Sequence, residues 1–288
     1  MTLRQLLNLI VPPIFPLGYQ AMQGVGKQPP PCTREEATEE ILRLSGDYAT
    51  WSDALSESTG YNADVILQMT TEALHKVKQG EAVYERDTVL FNEVQYTWPL
   101  LAGLMWVAAR CNGCLNVLDF GGSLGSTYFQ NRTFLKGLNG VRWNIVEQAR
   151  HVEVGKQAFQ DEYLKFYETT NTCLAETKPR VLVLSGVLQY LENPHKVLIE
   201  LLSTSCDHLI IDRTPFWEGA TDRLCVQHVP SRIYPASYPC WVFSIDRFRA
   251  ALNREWEIIA EFESLDNFPS PVETKWKGLC AIRRGKAS

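Results

Sequence analysis

VLDFGGSLGSTYFQN, Val117 to Asn131, runs from aliphatic residues through an acid and three closely spaced glycines into a segment able to begin a helix. Strand, glycine turn and helix in that order open a nucleotide-binding α/β unit. Glycine at 121, 122 and 125 lets the backbone approach a ligand, and a side chain at Gly121 or Gly122 would intrude on it. Asp119 sharpens this reading. A carboxylate ending the strand repels a pyrophosphate but suits a ligand with an ammonium, a sulfonium and no phosphate. The spacing also departs from the dinucleotide fingerprint G-x-G-x-x-G, since Ser123 stands where the second glycine belongs. S-adenosylmethionine (SAM) fits these residues better than a dinucleotide. Asp119 has a plainer reading too, as the cap of its own turn.

Strand and helix signals alternate after this point. Strands are expected over 116–120, 142–146, 164–167, 180–184 and 208–212, with helices over 126–138, 151–159 and 194–203. A helix over 244–252 and strand-like runs over 257–262 and 276–283 follow. The expected fold is α/β and Rossmann-like: a mostly parallel seven-stranded sheet with an antiparallel edge hairpin, behind a helical N-terminal region. Residues 1–110 are read as an arm and helical cap, and 111–288 as the ligand-binding domain. Within that domain, 213–243 carry four prolines and many aromatic residues and are read as a long loop forming a lid. Upstream, 35–44 and 62–78 have helical periodicity, with Ser52 and Asn62 as candidate caps, and 84–110 read as a helical approach with Pro99 in a first turn.

Glu147 ends the second expected strand, where an acid accepts both ribose hydroxyls. NAD enzymes share that feature, and the acid also reads as a cap of the next helix. The formal net charge of −5 over 288 residues gives no basic footprint for a nucleic-acid partner. Eight cysteines, at 32, 111, 114, 173, 206, 225, 240 and 280, do not form a small secreted scaffold. Cys111-Asn-Gly-Cys114 is a lone C-x-x-C without a second ligand pair, so it reads first as inert thiols and only then as a redox pair or metal ligands. No metal is called for. The apolar start, LRQLLNLIVPPIFPLGY, is interrupted by Pro12, Pro13 and Pro16 and is shorter than the ~20 residues a spanning helix needs. It reads as an arm packed on the domain, the alternative being a segment resting on a membrane surface. The expected compartment is the cytoplasm, with any membrane association due to this arm.

NVLDFGGSLGSTYFQN, WNIVEQ, LSGVLQYLENP, IIDRTPF and IYPASYPCWVFS, preceded by GEAVYERD and YTWPLLAGL, resemble a bacterial family of class I SAM-dependent methyltransferases. Genes for that family often stand among those for surface polysaccharides, and the resemblance covers the chain from about Asp47. It implies SAM as cofactor. Asp119, Gly121, Gly122 and Gly125, with Ser123 inside the loop, match the first motif; Glu147 matches the ribose acid, with Gln148 beside it. Tyr167 and Glu168 fall at the adenine, where Asp or Asn is more usual than Glu168. Leu188, Gln189 and Tyr190 fall near the methionine end, although Tyr190 reads equally as a core residue. The implied reaction is O-methylation of a hydroxyl on a sugar or surface-polysaccharide precursor, with a small-molecule or glycan acceptor. Asp212 is the first candidate base and His228 the alternative. Asp212 and Arg213 also read as a structural ion pair. Arg213, Tyr234 and Tyr238 are expected to contact the acceptor. The rival readings are an NAD(P)-dependent sugar oxidoreductase and a non-catalytic SAM-fold scaffold in glycan biosynthesis.

Overall fold

Aliphatic runs such as VLVLS are continuous because helices cover both faces of the sheet they build. The computed structural model describes residues 41–285 except 61, 62, 87, 232, 234 and 235. Successive strand residues divide between two cores, as a two-residue period requires. Val117, Trp143, Ile145, Val183 and Ile210 enter one; Leu118, Val146, Leu182, Leu184 and Ile211 enter the other.

In chain order the elements begin with β1 (Arg43–Ser45), α1 (Trp51–Ser56), α2 (Ala63–Gln79), β2 (Tyr84–Arg86), β3 (Val89–Phe91) and α3 (Trp98–Arg110). There follow β4 (Cys114–Phe120), α4 (Ser126–Leu135), β5 (Gly140–Val146), α5 (Ala149–Ala158), β6 (Leu164–Tyr167), α6 (Thr170–Thr177) and β7 (Val181–Ser185). After a 3-10 turn over Leu188–Tyr190 come α7 (Pro194–Leu202), β8 (His208–Trp217), β9 (Arg223–Val229) and β10 (Ala236–Ser244). The last elements are α8 (Ile245–Leu252), β11 (Trp256–Glu263) and β12 (Lys275–Arg283).

Strands β6, β5, β4, β7 and β8 pair in parallel in that spatial order. β12 joins β8 antiparallel, and β11 joins β12 antiparallel. These seven strands form the expected Rossmann-like arrangement with its edge hairpin, within a sheet that β10, β9 and β1 extend to ten strands among the described residues. The order reverses between β4 and β7, so the crevice of such a fold opens at their carboxyl ends.

Four expectations change. Residues 213–243 are mostly strand: β8 continues to Trp217, and β9 and β10 form an antiparallel hairpin with β1 added at its edge. Pro215 and Pro239, which suggested a loop, lie inside strands opposite Trp276 and Val226. β10 rejoins β8 through Phe243 and Ser244, so this small sheet stands above the carboxyl end of β7. The described residues of 84–91 are not helical: β2 and β3 pair antiparallel, and Thr88 between them has φ +75°. The described part of 35–44 ends in strand β1, which finds its partner 183 residues away in β9. Lastly, Thr50 rather than Ser52 caps α1, in a reciprocal box with Asp53.

The expected cap Asn62 and the N-terminal arm lie outside the described residues. Pro99 does occupy the first turn of α3. Helix α6 was not anticipated; Thr169 caps it, its side chain accepting from the Thr172 amide at 3.1 Å. Among the described residues, no helix is long and apolar enough to cross a membrane.

Candidate functional site

The loop between β4 and α4 bends back through three residues of positive φ: Gly121 at +74°, Ser123 at +53° and Gly125 at +102°. Its glycines are required first by the protein's own packing. A Cβ on Gly121 would overlap Val187 Cγ2, and one on Gly122 would stand 2.5 Å from the Asp119 carboxylate. The intrusion expected against a ligand is therefore an intrusion against the loop's own floor.

That floor is Asp119. It is 1% exposed, and Trp143 donates its indole N–H to Oδ2 at 2.9 Å. The other oxygen, Oδ1, has no hydrogen-bond partner among the described residues. Burial pushes this carboxyl from its ordinary 3.8 up to about 7, against the Trp143 hydrogen bond, with Glu147 adding to the rise. Glu147, also buried, accepts from the Ser123 amide at 3.3 Å and from the Gln148 amide at 2.7 Å. One carboxylate thus ties the glycine loop to the N-terminus of α5, where Gln148 holds the N-cap position without a side-chain capping bond. Glu168 is exposed just beyond β6.

The second cluster lies at β8. Asp212 and Arg213 together oppose the single residue Gly278 of β12, since Ile211 pairs with Leu279 and Thr214 with Lys277. Arg213 has φ +54°, the mark of a bulge that re-aims its neighbours. Gly186 donates its amide to the Asp212 carbonyl at 3.0 Å, and Gln189 Nε2 donates to the Arg213 carbonyl at 2.9 Å. On the Asp212 side chain, Oδ1 accepts from Ser264 Oγ at 2.7 Å and from the Arg213 amide at 2.8 Å. Oδ2 has no partner among the described residues. Burial raises this carboxyl to about 6, the Ser264 hydrogen bond opposing the rise and Asp266 adding to it.

Asp212 and Arg213 line a small cavity of about 30 Å³ with Ser185, Ser126, Thr127 and Arg86. Arg86 comes from the β2–β3 hairpin and is buried. Its neighbour Glu85 fixes that hairpin to the start of α4, accepting from Ser126 Oγ at 2.7 Å. Sequence reasoning missed Tyr84, Glu85 and Arg86; the signal available was VYER and VLF on either side of a two-residue D-T turn. It also missed Ser264, Asp266 and Trp143.

Of the remaining expected residues, some stand at the crevice and others away from it. The side chain of Arg213 pairs with Asp266 at 2.9 Å, not with Asp212. Tyr190 and Tyr238 are core residues joined through Gln227: Tyr190 donates to Gln227 Oε1 at 2.8 Å, and Gln227 Nε2 donates to the Tyr238 hydroxyl at 3.2 Å. Neither ring is free to stack on a sugar, because the β9–β10 sheet needs them to seal against the 3-10 turn. His228 follows Gln227 on β9 and so faces the opposite side of that sheet. There it shares a 2.6 Å hydrogen bond with Ser45, and burial lowers its pKa. Leu188 and Gln189 are fully buried beside the crevice. Tyr234 lies outside the described residues.

No protein-family model and no curated protein matches this sequence. Solved structures with similarity include magnesium protoporphyrin IX methyltransferase from Synechocystis PCC 6803 with bound SAM, at 16% identity and TM-score 0.42 over 65% of this chain and 78% of that one. The N-terminal domain of EvdMO1, in the presence of SAH and D-fucose, is 14% identical with TM-score 0.45 over 74% and 96%. The 1,6-didemethyltoxoflavin-N1-methyltransferase of Burkholderia thailandensis is 11% identical with TM-score 0.43 over 87% and 98%.

The two raised carboxyls give a stability signature. Between about pH 4 and 6 the folded chain holds protons at both Asp119 and Asp212 that the unfolded chain has lost, and up to about pH 7 at Asp119 alone. Their contribution is therefore full below about pH 4 and is lost as the pH rises through about 6 and then 7. Asp119→Asn keeps the shape and can still accept from Trp143, yet never buries a charge. Urea unfolding at pH 5 and pH 8 is expected to show a smaller loss of stability in this variant than in the wild type. An equal loss would mean that Asp119 is already ionised at pH 5.

Proposed function

We propose that this protein is a SAM-dependent methyltransferase that methylates a hydroxyl of a sugar or surface-polysaccharide precursor. The observation that carries the cofactor assignment is the Asp119 carboxylate packed directly beneath Gly122. A phosphate seated on that loop would lie against a buried acid; an ammonium and a sulfonium would be drawn toward it. Glu147 supports the same reading. Its carboxylate is fixed by two amides, and the lone pairs left over can accept ribose hydroxyls. Gln148 and Glu168 would flank the nucleoside, with Leu188 and Gln189 beneath it. Bound SAM supplies a methyl activated on a sulfonium, and the chain's task is alignment, proton removal and exclusion of water.

Asp212 is the proposed general base. Ser264 and the Arg213 amide occupy Oδ1, and Oδ2, on a residue that lines the cavity, has no partner among the described residues. A carboxyl near 6 is ionised at neutral pH and still basic enough to take a hydroxyl proton as the oxygen accepts the methyl. The cavity has room for one hydroxyl-sized group. The rest of the acceptor then lies outside it, against the β2–β3 hairpin. The acceptor class is supported by the resemblance of the motifs to a family found among surface-polysaccharide genes. Mass spectrometry of surface glycan from a strain lacking this gene tests it: a glycan lighter by one methyl is expected, and an unchanged glycan overturns the acceptor assignment.

A further inference from the structure

Cys111 and Cys114 stand at the start of β4, the end opposite the glycine loop. The Cys111 carbonyl accepts the Cys114 amide at 3.0 Å, and the residues between, Asn112 and Gly113, have φ +55° and +74°. Two positive φ values under such a bond define a type I′ turn, whose first and fourth Cα atoms lie within about 7 Å. A disulfide spans Cα separations of about 4.4–6.8 Å. The turn is held from outside as well. Asn139 donates its side-chain amide to the Asn112 carbonyl and its backbone amide to that of Gly113, both at 2.8 Å. A Cβ on Gly113 would stand 2.7 Å from Asn139 Nδ2, so the glycine is part of the clamp. The turn thus holds the Cα atoms of the two cysteines within the range a disulfide can span, with little backbone freedom left to lose on closure.

Access separates them from the other thiols among the described residues. Cys173, Cys206, Cys225, Cys240 and Cys280 are buried, and burial raises each of them above its ordinary value. Cys114 is exposed and Cys111 partly so. Gly140 leaves Cys114 uncovered, since a Cβ there would touch its Sγ at 3.6 Å. Both cysteines open on a cleft of about 660 Å³ that Arg110, Arg142, Arg180 and Glu162 also line. Arg180 is paired with Asp207 at 2.7 Å, and the guanidinium groups of this lining favour the approach of an anionic reagent.

We propose that Cys111 and Cys114 are a redox-active dithiol that closes to an intrachain disulfide by exchange with an anionic low-molecular-weight disulfide of the glutathione type. One cysteine thiolate attacks the reagent's S–S bond, forming a mixed disulfide and expelling one reagent thiolate. The other cysteine gives its proton to water and attacks the mixed disulfide, forming the Cys111–Cys114 bond and expelling the second. The chain loses two electrons and two protons; the reagent gains them as two thiols. The buried thiols take no part.

The test equilibrates the native full chain with oxidised and reduced glutathione, blocks free thiols with N-ethylmaleimide, and maps the peptides by mass spectrometry. A Cys111–Cys114 link that reverts on adding excess reduced glutathione is expected. In Cys111→Ser the exchange should stop at a glutathione adduct on Cys114. Stable adducts on the wild-type pair, a link from either cysteine to Cys32, or no change at either residue would overturn the proposal.

Discussion

Asp212→Asn is expected to lower methyl transfer by about 10²–10⁴-fold, the range over which a positioned general base contributes, while SAM binds as before. The substitution preserves volume in a site where Ser264 and the Arg213 amide leave little room for another rotamer. What it removes is the proton acceptor at Oδ2. In the wild type the rate should fall as the pH drops through about 6, because the base must be ionised, and should level off above it. Asp212→Asn should lack that limb. Turnover followed with isotopically labelled SAM on hydroxylated glycan acceptors gives both quantities. A variant with wild-type turnover would remove Asp212 from the chemistry and leave it a structural acid at a bulge.

Glu147→Ala should weaken SAM binding on the order of 100-fold. Hydrogen bonds to a charged group contribute about 1.5–3 kcal/mol each, and a tenfold change in Kd is about 1.4 kcal/mol. The variant gives up the ribose contacts and also the bonds that hold the Ser123 and Gln148 amides. Glu147→Gln separates the two losses, because the amide oxygen can still accept one backbone bond while the charge is gone. Intermediate weakening is expected there. Equal affinity in wild type and Glu147→Ala would mean that no ribose sits at this acid.

The parallel sheet was legible because its strands are buried on both faces and so read as unbroken aliphatic runs, with Asp119 and Glu147 marking their ends. The regions misread are those whose partners are distant. Strands β8 to β10 look like a loop because Pro215 and Pro239 are loop residues by propensity, and only the pairing with β12 and β9 makes strands of them. The β2–β3 hairpin has three residues per strand and sits between helices, too short for a periodic signal. The surroundings of Asp212 were invisible for the same reason. Ser264 and Asp266 are more than fifty residues away and have no motif of their own. The motif resemblance singled out Tyr190 and the aromatic stretch Tyr238, but neither gave their direction; a tyrosine reads alike whether its ring faces a sugar or, as here, a buried glutamine.

Asp119 bears on everything proposed for the crevice, since it distinguishes a cationic ligand from a phosphate-bearing one. Calorimetric titration of the native chain, first with SAM and then with NAD(H), puts that distinction to a direct measurement. Saturable one-site binding of SAM and no heat from NAD(H) is the predicted result. Saturable binding of NAD(H) with no response to SAM would contradict it.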